Sequence, residues 1–214
     1  MFEKEPLVEI KSWQVKGYEL LYRGLPKIVS KEEYFTKLSE EEDFTIFLKA
    51  LSFIEGEDLS NGRFFINIKP RTVVKYAKEI IKELTKRNLF SRVVLELRED
   101  GDLSDLREIK HIREDMPFPL CLDDFGVKGS NVDRIILLKP DIIKLDMSIL
   151  RHIDKRSFLL FVEFLNSLKA RNFFMEVVAE KIETEHDLSF VKAVGIKYGQ
   201  GWLLKDVKSQ KVSD

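Results

Sequence analysis

The segment Ser157-Phe-Leu-Leu-Phe-Val-Glu-Phe-Leu-Asn-Ser-Leu-Lys-Ala170 is followed closely by Phe174-Met-Glu-Val-Val-Ala179. In the first segment, apolar residues recur at spacings of three and four: Phe158, Phe161, Val162, Leu165 and Leu168. This spacing predicts an amphipathic helix whose apolar stripe is buried. The second segment is a short, largely apolar run, which predicts a buried strand. The two segments therefore form one helix-then-strand unit.

The same unit repeats along most of the chain. The predicted helices are Phe44–Ile54, Val73–Arg87, Leu103–Glu114, Asn131–Leu138, Ser157–Ala170 and Thr184–Val194. The predicted strands are Leu7–Ile10, Val15–Tyr22, Phe64–Ile68, Val93–Glu96, Leu120–Leu122, Ile142–Leu145, Phe174–Ala179 and Tyr198–Leu203. Strands that alternate with helices favour parallel pairing through right-handed crossovers. Eight such strands predict a closed, TIM-type (β/α)8 barrel, and an open doubly wound sheet is the alternative.

The two ends of the chain differ from this pattern. Leu7–Ile10 and Val15–Tyr22 are joined by a short connection, which predicts an antiparallel hairpin. The region from Lys31 to Asp43 is polar and acidic. We expect residues 1–204 to form one domain and the polar residues 205–214 to form a fraying tail.

Composition limits the partners and the compartment. The chain has 36 Lys and Arg against 37 Asp and Glu, a formal charge of -1, so no global field attracts duplex nucleic acid or an anionic membrane. Cys121 is the only cysteine, which excludes an intrachain disulfide. The first residues lack a signal-peptide pattern, and no run approaches the roughly 18 apolar residues of a membrane span. These features predict a cytoplasmic protein without duplex nucleic-acid or membrane partners.

Polar residues occur where the predicted strands end. They are Glu19, Asn67, Glu96, Asp123, Asp124, Lys144, Glu180 and Gln200. Catalytic groups of such barrels lie at the carboxyl ends of the strands, so we expect these side chains to converge. Carboxylates gathered at one rim repel each other unless cations lie among them. Oxygen ligands without Cys or His favour Mg²⁺ or Mn²⁺. Two such ions, about 3.5–4 Å apart, would clamp the attacking and leaving oxygens of a phosphoryl displacement.

Each residue also has a simpler interpretation. Glu96 could be an outward-facing strand residue, and Asn67 could be an amide next to a turn. Lys144 could simply neutralise Asp146 or Asp124. Cys121 is interpreted as small packing inside the barrel, and packing is the default for Trp13 and Trp202. The joint placement of the polar residues at strand ends carries the prediction of a site.

These residues resemble the motifs of the EAL domain, the bacterial phosphodiesterase module for cyclic di-GMP. Gly17-Tyr-Glu-Leu-Leu-Tyr-Arg23 is similar to the stretch that names the family, with Leu20 for the usual Ala. Further similar motifs are Asn67, Glu96-Leu-Arg-Glu99, Asp123-Asp-Phe-Gly126, Lys144-Leu-Asp146, Glu180-Lys-Ile-Glu183 and Gln200-Gly-Trp202. The resemblance extends from Pro6 to Leu204. It implies a barrel whose first strand is antiparallel, and an enzyme that hydrolyses cyclic di-GMP to linear pGpG with two Mg²⁺ or Mn²⁺ ions.

The resemblance also implies a role for each residue. One ion would be bound by Glu19, Asn67, Glu96 and Asp123, and the second by Asp123, Asp124 and Glu180. Lys144 would orient or help to deprotonate the attacking water, so the implied catalytic residues are Glu19, Lys144 and Glu180. Arg23 would bind a ligand phosphate, and Gln200 would support the site near the ligand. Glu99, Asp146 and Glu183 would support the ligands from outside, with Glu99 bracing the loop after Asp124.

The sequence departs from the family in ways that keep alternatives open. Val127–Asn131 replaces the usual Thr-Gly-Tyr-Ser-Ser loop, which supports the second ion and the dimer contact, and Lys181 replaces a Gly. The altered loop favours the alternative of a catalytically inactive cyclic di-GMP receptor or a protein-interaction module. A third hypothesis is an unrelated enolase-like barrel enzyme with Lys144 as the base. The resemblance further implies a homodimer and, in a longer parent protein, sensor or cyclase domains.

Overall fold

A computed structural model describes residues 1–24, 30–58, 62–98, 101–126, 132–151, 153–173 and 176–207. Within these residues, eight strands form a closed barrel in chain order. The strands are β1 (Phe2–Glu9), β2 (Gln14–Tyr22), β3 (Arg63–Ile68), β4 (Val93–Leu97), β5 (Leu120–Phe125), β6 (Ile142–Asp146), β7 (Glu176–Glu180) and β8 (Tyr198–Gly199). The closed sheet confirms the predicted TIM-type α/β barrel and excludes the open doubly wound alternative.

The first strand runs against all the others. β1 pairs antiparallel with β2, where Glu5 is opposite Glu19, and it also pairs antiparallel with β8, where Val8 is opposite Gly199. The remaining neighbours, from β2 to β8, pair parallel. The predicted hairpin and the antiparallel first strand are therefore confirmed. Because β1 is reversed, its amino-terminal half lies at the same rim as the carboxyl ends of the parallel strands.

Helices surround the barrel. In the described part of the chain they are α1 (Lys31–Lys37), α2 (Glu40–Ile54), α3 (Pro70–Lys86), α4 (Leu103–Asp115), α5 (Val132–Leu138), α6 (Lys155–Ala170) and α7 (Glu185–Ala193), with 3-10 turns at Met147–Arg151 and Trp202–Leu204. No element is predicted between Lys31 and Asp43, whereas the structure contains α1 and the first turn of α2 there. Ser39 and Glu42 form a capping box that begins α2, and Ser30 caps α1, so polar residues here start helices.

The last strand is much shorter than the predicted Tyr198–Leu203. β8 ends at Gly199, and Gly201 turns the chain with a φ of 147°, a conformation that favours glycine. A Cβ on Gly201 would lie 2.4 Å from the backbone nitrogen of Ile182, so the chain packs directly onto the segment that follows β7. The backbone N–H of Gln200 donates to the carbonyl of Ala179, which fixes Gln200 beside the end of β7.

The inside of the barrel is closed by an apolar layer. It comprises Leu7, Phe65, Val94, Cys121, Ile142 and Val178, with Tyr198 packed against it. Cys121 is fully buried in this layer, which agrees with its interpretation as packing. A second, larger core lies between the barrel and the helices and contains residues such as Ile66, Leu95 and Phe158. Among the described residues, no helix combines the length and apolar character that a membrane span requires.

Candidate metal centre at the barrel rim

The polar rim lies one step above the apolar layer. Successive side chains of a strand point to opposite faces, so residues two apart both point into the barrel. On β3 to β7 each layer residue is followed two positions later by a polar one: Phe65 by Asn67, Val94 by Glu96, Cys121 by Asp123, Ile142 by Lys144 and Val178 by Glu180. Tyr198 and Gln200 continue this pattern at β8. The alternation thus brings the predicted residues to one rim.

Lys144 is the cation at the centre of this rim. Its side chain is fully buried, and Nζ lies 2.8 Å from Glu19 Oε2, 2.7 Å from Glu96 Oε1 and 3.1 Å from Glu180 Oε1. Burial alone would lower the pKa of Lys144, but these surrounding carboxylates raise it well above its usual value. Lys144 is therefore a permanent positive charge, which holds three acids from different strands in place.

Lys181 is a second cation, on the outer side of the rim. Its Nζ lies 3.2 Å from Asp124 Oδ1 and also donates to Asp146, whose other oxygen accepts from the backbone N–H of Ser148 at 2.7 Å. The interpretation that Lys144 neutralises Asp146 or Asp124 is therefore wrong. Lys181 contacts both of these acids instead. Bound ions are therefore not the only cations that reduce the repulsion among the acids, because Lys144 and Lys181 do so as well.

Glu19 is the most heavily hydrogen-bonded acid of the rim. Its Oε1 accepts from Asn67 Nδ2 at 2.8 Å, and its Oε2 accepts from Gln200 Nε2 at 2.6 Å and from Lys144 Nζ. Burial alone would raise the pKa of Glu19, but the charge of Lys144 and these hydrogen bonds outweigh burial and lower it. Glu19 is therefore held as a carboxylate, and its two oxygens tie β2 to β3, β6 and the end of β8.

The pKa values of Glu96, Glu180 and Asp123 are shifted upwards, in the opposite direction to that of Glu19. Burial and repulsion from Glu19 raise the pKa of Glu96 well above its usual value, despite the charge of Lys144. Burial also raises the pKa of Glu180 and, to a smaller extent, of Asp123, again against Lys144. Within the described residues, the buried Glu96 Oε2 and Gln200 Oε1 receive no hydrogen bond. A buried acceptor without a donor is costly, so this rim favours an added cation.

Asp123, Asp124 and Glu180 offer ligand atoms that all lie within 4.8 Å of one another. Adjacent residues on a regular strand would point to opposite faces. The pairing of β5 with β6 is irregular between Leu122 and Phe125, and Asp124 has a φ of 48°, in the left-handed region. This local distortion lets two consecutive acids lie at one rim, in the group that the family resemblance assigns to a second ion.

A cleft opens above the acids. Its lining includes Arg23, Gln200, Glu183, Trp202 and Lys205, together with Glu5 and the acids of the rim. Arg23 donates from its Nε to Glu3 Oε2 at 2.7 Å. Trp202 is 71% exposed, so the default interpretation that this tryptophan packs in the core is wrong. The structure therefore brings Arg23, Gln200 and Glu183 to the cleft, whereas Glu99 and Val127–Asn131 lie outside the described residues.

Glu5 is a rim residue that the sequence prediction missed. It lies on β1 directly opposite Glu19, two positions before the layer residue Leu7, and it lines the cleft. Burial and then repulsion from Glu19 raise the pKa of Glu5. The predicted rim residues all lie at the carboxyl ends of strands, whereas β1 is reversed and brings its amino-terminal half to the rim. The antiparallel hairpin was already predicted, so the position two before Leu7 could have been identified.

The charge and chemistry of the rim fit divalent cations. The acidic cluster comprises Glu19, Glu96, Asp123, Asp124, Asp146 and Glu180, and it faces the ammonium groups of Lys144 and Lys181. If these six carboxylates are ionised, they exceed the two ammonium groups by four charges even before Glu5 is counted, and this excess favours the binding of divalent cations. Carboxylate and amide oxygens are the ligands that Mg²⁺ and Mn²⁺ prefer.

The pKa shifts predict how ion binding depends on pH. Ion ligands must be deprotonated, and Glu96 and Glu180 have raised pKa values, so binding should release protons and strengthen as the pH rises. A carboxyl whose pKa is raised by folding stabilises the fold below its unfolded value of 4.5 and destabilises it increasingly as the pH rises towards its folded value. Without ions, Glu96 and Glu180 therefore make the fold more stable at low pH than at high pH, whereas Glu19, with its lowered pKa, makes it more stable at high pH.

We expect the increase in melting temperature on adding Mg²⁺ to be larger at pH 8 than at pH 5.5, with affinity rising about tenfold per pH unit for each proton released. Melting curves in EDTA and in Mg²⁺ at both pH values measure this. Glu96→Gln is the matched variant, because it removes one group with a raised pKa and should flatten the dependence. An equal increase at both pH values in the unmodified protein would contradict the prediction.

Comparisons with known proteins agree with the architecture. A family model described as the EAL domain matches residues 5–206. The uncharacterized EAL-domain containing protein YkuI of Bacillus subtilis is 30% identical over 208 residues, which cover 89% of this chain and 51% of YkuI. The cyclic di-GMP phosphodiesterase PdeF of Escherichia coli is 28% identical over 78% of this chain and 23% of PdeF. The chain thus spans about half or less of the length of these relatives.

Solved structures share the fold. The crystal structure of YkuI in complex with substrate c-di-GMP and calcium has a TM-score of 0.76 at 23% identity and covers 99% of this chain and 55% of that chain. The manganese and cyclic di-GMP complex of BlrP1 from Klebsiella pneumoniae has a TM-score of 0.78 at 22% identity, over 94% of this chain and 54% of that chain. The family match over nearly the whole chain, on a barrel of the same fold, shows that this chain belongs to the EAL domain family.

Proposed function

We propose that this chain is a metal-dependent phosphodiesterase that hydrolyses cyclic di-GMP to linear pGpG. The observation that carries the proposal is the convergence of the acidic cluster with Asn67, beside a buried Glu96 oxygen that receives no hydrogen bond within the described part of the chain. Membership of the EAL family supports the choice of substrate, because relatives such as PdeF are named cyclic di-GMP phosphodiesterases.

The ion ligands would divide into two sets. The first set is Glu19, Asn67, Glu96 and Asp123, and the second is Asp123, Asp124 and Glu180. When bound, two Mg²⁺ or Mn²⁺ ions would act as Lewis acids that stabilise negative charge on the oxygens bonded to phosphorus. The shared position of Asp123 would link the sets. Asp146 and Glu183 would support them from outside, as would Glu99.

The chain's own residues would guide the hydrolysis. The oxygen of water bonds to phosphorus, the bond from phosphorus to the 3′ oxygen breaks, and that oxygen receives a proton, which gives the linear 5′-phosphorylated dinucleotide. Lys144, fixed between Glu19 and Glu180, would orient the water and favour loss of its proton through its positive charge. Gln200 would keep Glu19 in position, and Arg23 would bind a phosphate through its planar guanidinium.

A turnover assay with Mn²⁺ and cyclic di-GMP tests the proposal, with pGpG identified by its mass. Formation of pGpG that stops in EDTA is the expected result. Binding of cyclic di-GMP without product would contradict the enzyme hypothesis and support the receptor hypothesis. Neither binding nor product would reopen other reactions of the barrel, including the enolase-like one with Lys144 as the base.

A catalytically inactive cyclic di-GMP receptor or protein-interaction module is the second candidate function. The contact of Lys181 with Asp124 favours it, because an ammonium group, also held by Asp146, lies on a carboxylate that the second ion would need. The changed sequence of Val127–Asn131 favours it as well. Ligand binding in EDTA, measured by calorimetry, separates the two candidates, since a receptor would keep its affinity without ions.

Arg23 offers a test of substrate binding. We expect Arg23→Ala to weaken binding of cyclic di-GMP about tenfold or more, since it removes a charge-assisted hydrogen bond to phosphate of roughly 1.5–3 kcal/mol. Binding is measured by calorimetry in Ca²⁺, to limit turnover. Glu3→Ala is the control, because it removes the partner of Arg23 at 2.7 Å while keeping the guanidinium. Equal affinity of Arg23→Ala and the unmodified protein would exclude this role.

A further inference from the structure

The two lysines of the rim differ in their freedom to move. The Lys144 side chain is 0% exposed and lies among Glu19, Glu96 and Glu180, so it cannot leave without breaking the core of the site. The Lys181 side chain is 49% exposed, and it reaches Asp124 and Asp146 from the mouth of the cleft. The ammonium group of Lys144 is thus fixed inside the site, whereas that of Lys181 can move into solvent.

The backbone of Lys181 lies in an unusual conformation for a lysine. Its φ of 56° is in the left-handed region, which favours glycine, and it immediately follows the ligand residue Glu180 at the end of β7. Burial would lower the pKa of Lys181, but the hydrogen bond to Asp146 and the charge of Asp124 raise it, so the ammonium form is favoured. The two ion pairs thus stabilise a lysine at a position where the backbone conformation favours glycine, which has no side chain.

The same contact places a positive charge against a proposed ion ligand. Asp124 belongs to the group whose ligand atoms lie within 4.8 Å of one another, with Asp123 and Glu180. Lys181 Nζ is 3.2 Å from Asp124 Oδ1. A divalent ion bound by this group would lie close to the ammonium group, and like charges at such distances repel strongly where burial limits screening. The ion and Lys181 therefore compete for Asp124.

We propose that Lys181 is a tethered cation that neutralises the Asp124 side of the acidic cluster until a second divalent ion displaces it. This inference rests on the proposed two-ion site. It makes the two ion sites unequal. Lys144 contacts ligands of both sites, namely Glu19 and Glu96 of one and Glu180 of the other, whereas Lys181 contacts only the site that includes Asp124. The site that includes Asp124 therefore carries one more competing ammonium group and fills at higher ion concentration.

Calorimetric titration with Mn²⁺ alone, without any nucleotide, tests this inference. The unmodified protein should bind one ion tightly and a second one more weakly. Lys181→Met keeps the length of the side chain and removes its charge, and we expect it to tighten the weaker site about tenfold or more while changing the tighter site less than about twofold. Lys181→Arg keeps the charge and should retain the weak second site.

Two further variants separate charge from other effects. Lys205→Met removes another lysine of the cleft and should leave both Mn²⁺ affinities unchanged if the contact with Asp124 is the cause. Lys181→Gly relieves the left-handed backbone, and it should behave as Lys181→Met does. Circular dichroism confirms that each variant is folded. Tightening by Lys205→Met to the same extent would overturn the inference in favour of a general charge effect.

The outcomes also separate this inference from the proposed function. If Lys181→Met leaves both dissociation constants unchanged, or tightens both equally, Lys181 does not compete with an ion. If neither protein binds Mn²⁺, both the inference and the two-ion site are wrong. If the weak site tightens but no pGpG forms in the turnover assay, the inference stands and the proposed hydrolysis fails.

Discussion

Glu19→Gln is expected to lower the rate of cyclic di-GMP hydrolysis by about a thousandfold or more, because the change removes a charged ion ligand from the centre of the site. The amide NH2 group would also replace one accepting oxygen, and it would face either Asn67 or the pair Lys144 and Gln200, which all donate to Glu19. Formation of pGpG in Mn²⁺ measures the rate. The fold should persist, since Lys144 keeps its contacts with Glu96 and Glu180.

Glu176→Gln is the matched control for this loss. Glu176 lies at the opposite end of β7 from Glu180 and pairs with Lys169 at 2.9 Å, away from the cleft. It should keep the normal rate. Glu19→Ala should be as inactive as Glu19→Gln, since both lose the charge. Normal activity of either Glu19 variant, with its full content of bound ions, would show that the first ion site is wrongly assigned.

Lys144→Met should have the largest effect on stability. It leaves Glu19, Glu96 and Glu180 without their buried ammonium partner, and breaking a buried ion pair in this way costs about 3–5 kcal/mol. For a domain of this size we expect the melting temperature in EDTA at neutral pH to fall by roughly 10 °C. Hydrolysis should also be lost. Melting curves followed by circular dichroism measure the first effect.

The loss should depend on conditions in a defined way. Mg²⁺ should restore part of the stability of Lys144→Met, because added positive charge replaces the ammonium group among the acids. Lowering the pH should also reduce the difference, since Glu96 and Glu180 already have raised pKa values and protonate readily. Lys169→Met is the control, because its exposed pair with Glu176 contributes less than about 1 kcal/mol. A Lys144→Met protein as stable in EDTA as this control would contradict the prediction.

Hydrophobic periodicity predicts the alternating strands and helices and favours a closed barrel, but it leaves an open doubly wound sheet as an alternative. Strand and helix patterns depend on local spacing, which the stripe of Phe158, Val162 and Leu165 illustrates, and these three residues are buried as predicted. Two-residue alternation also explains why polar residues that follow Val94 and Val178 reach one rim. The predicted ends of strands are less accurate where a turn follows, as in β8, which ends at Gly199 shortly before the turn at Gly201.

Side-chain pairing could not be predicted from spacing. Lys144 is close in sequence to Asp146, yet its partners are Glu19, Glu96 and Glu180, because barrel closure decides which side chains meet. Lys181 reaches Asp124 only through its left-handed backbone and the irregular end of β5. Both contacts depend on geometry that no local pattern reveals. The roles of the site residues, the homodimer and the additional domains remain predictions.

The reversed first strand has a consequence for the newly synthesised polypeptide. Glu19 accepts a hydrogen bond from Gln200, which lies 181 positions further along the chain, and β8 completes the sheet by pairing with β1. A ribosome must therefore have released nearly the whole domain before the acidic rim can assemble. Contacts between such distant positions form late in folding, so a translation product truncated before β8 should be incapable of closing the barrel.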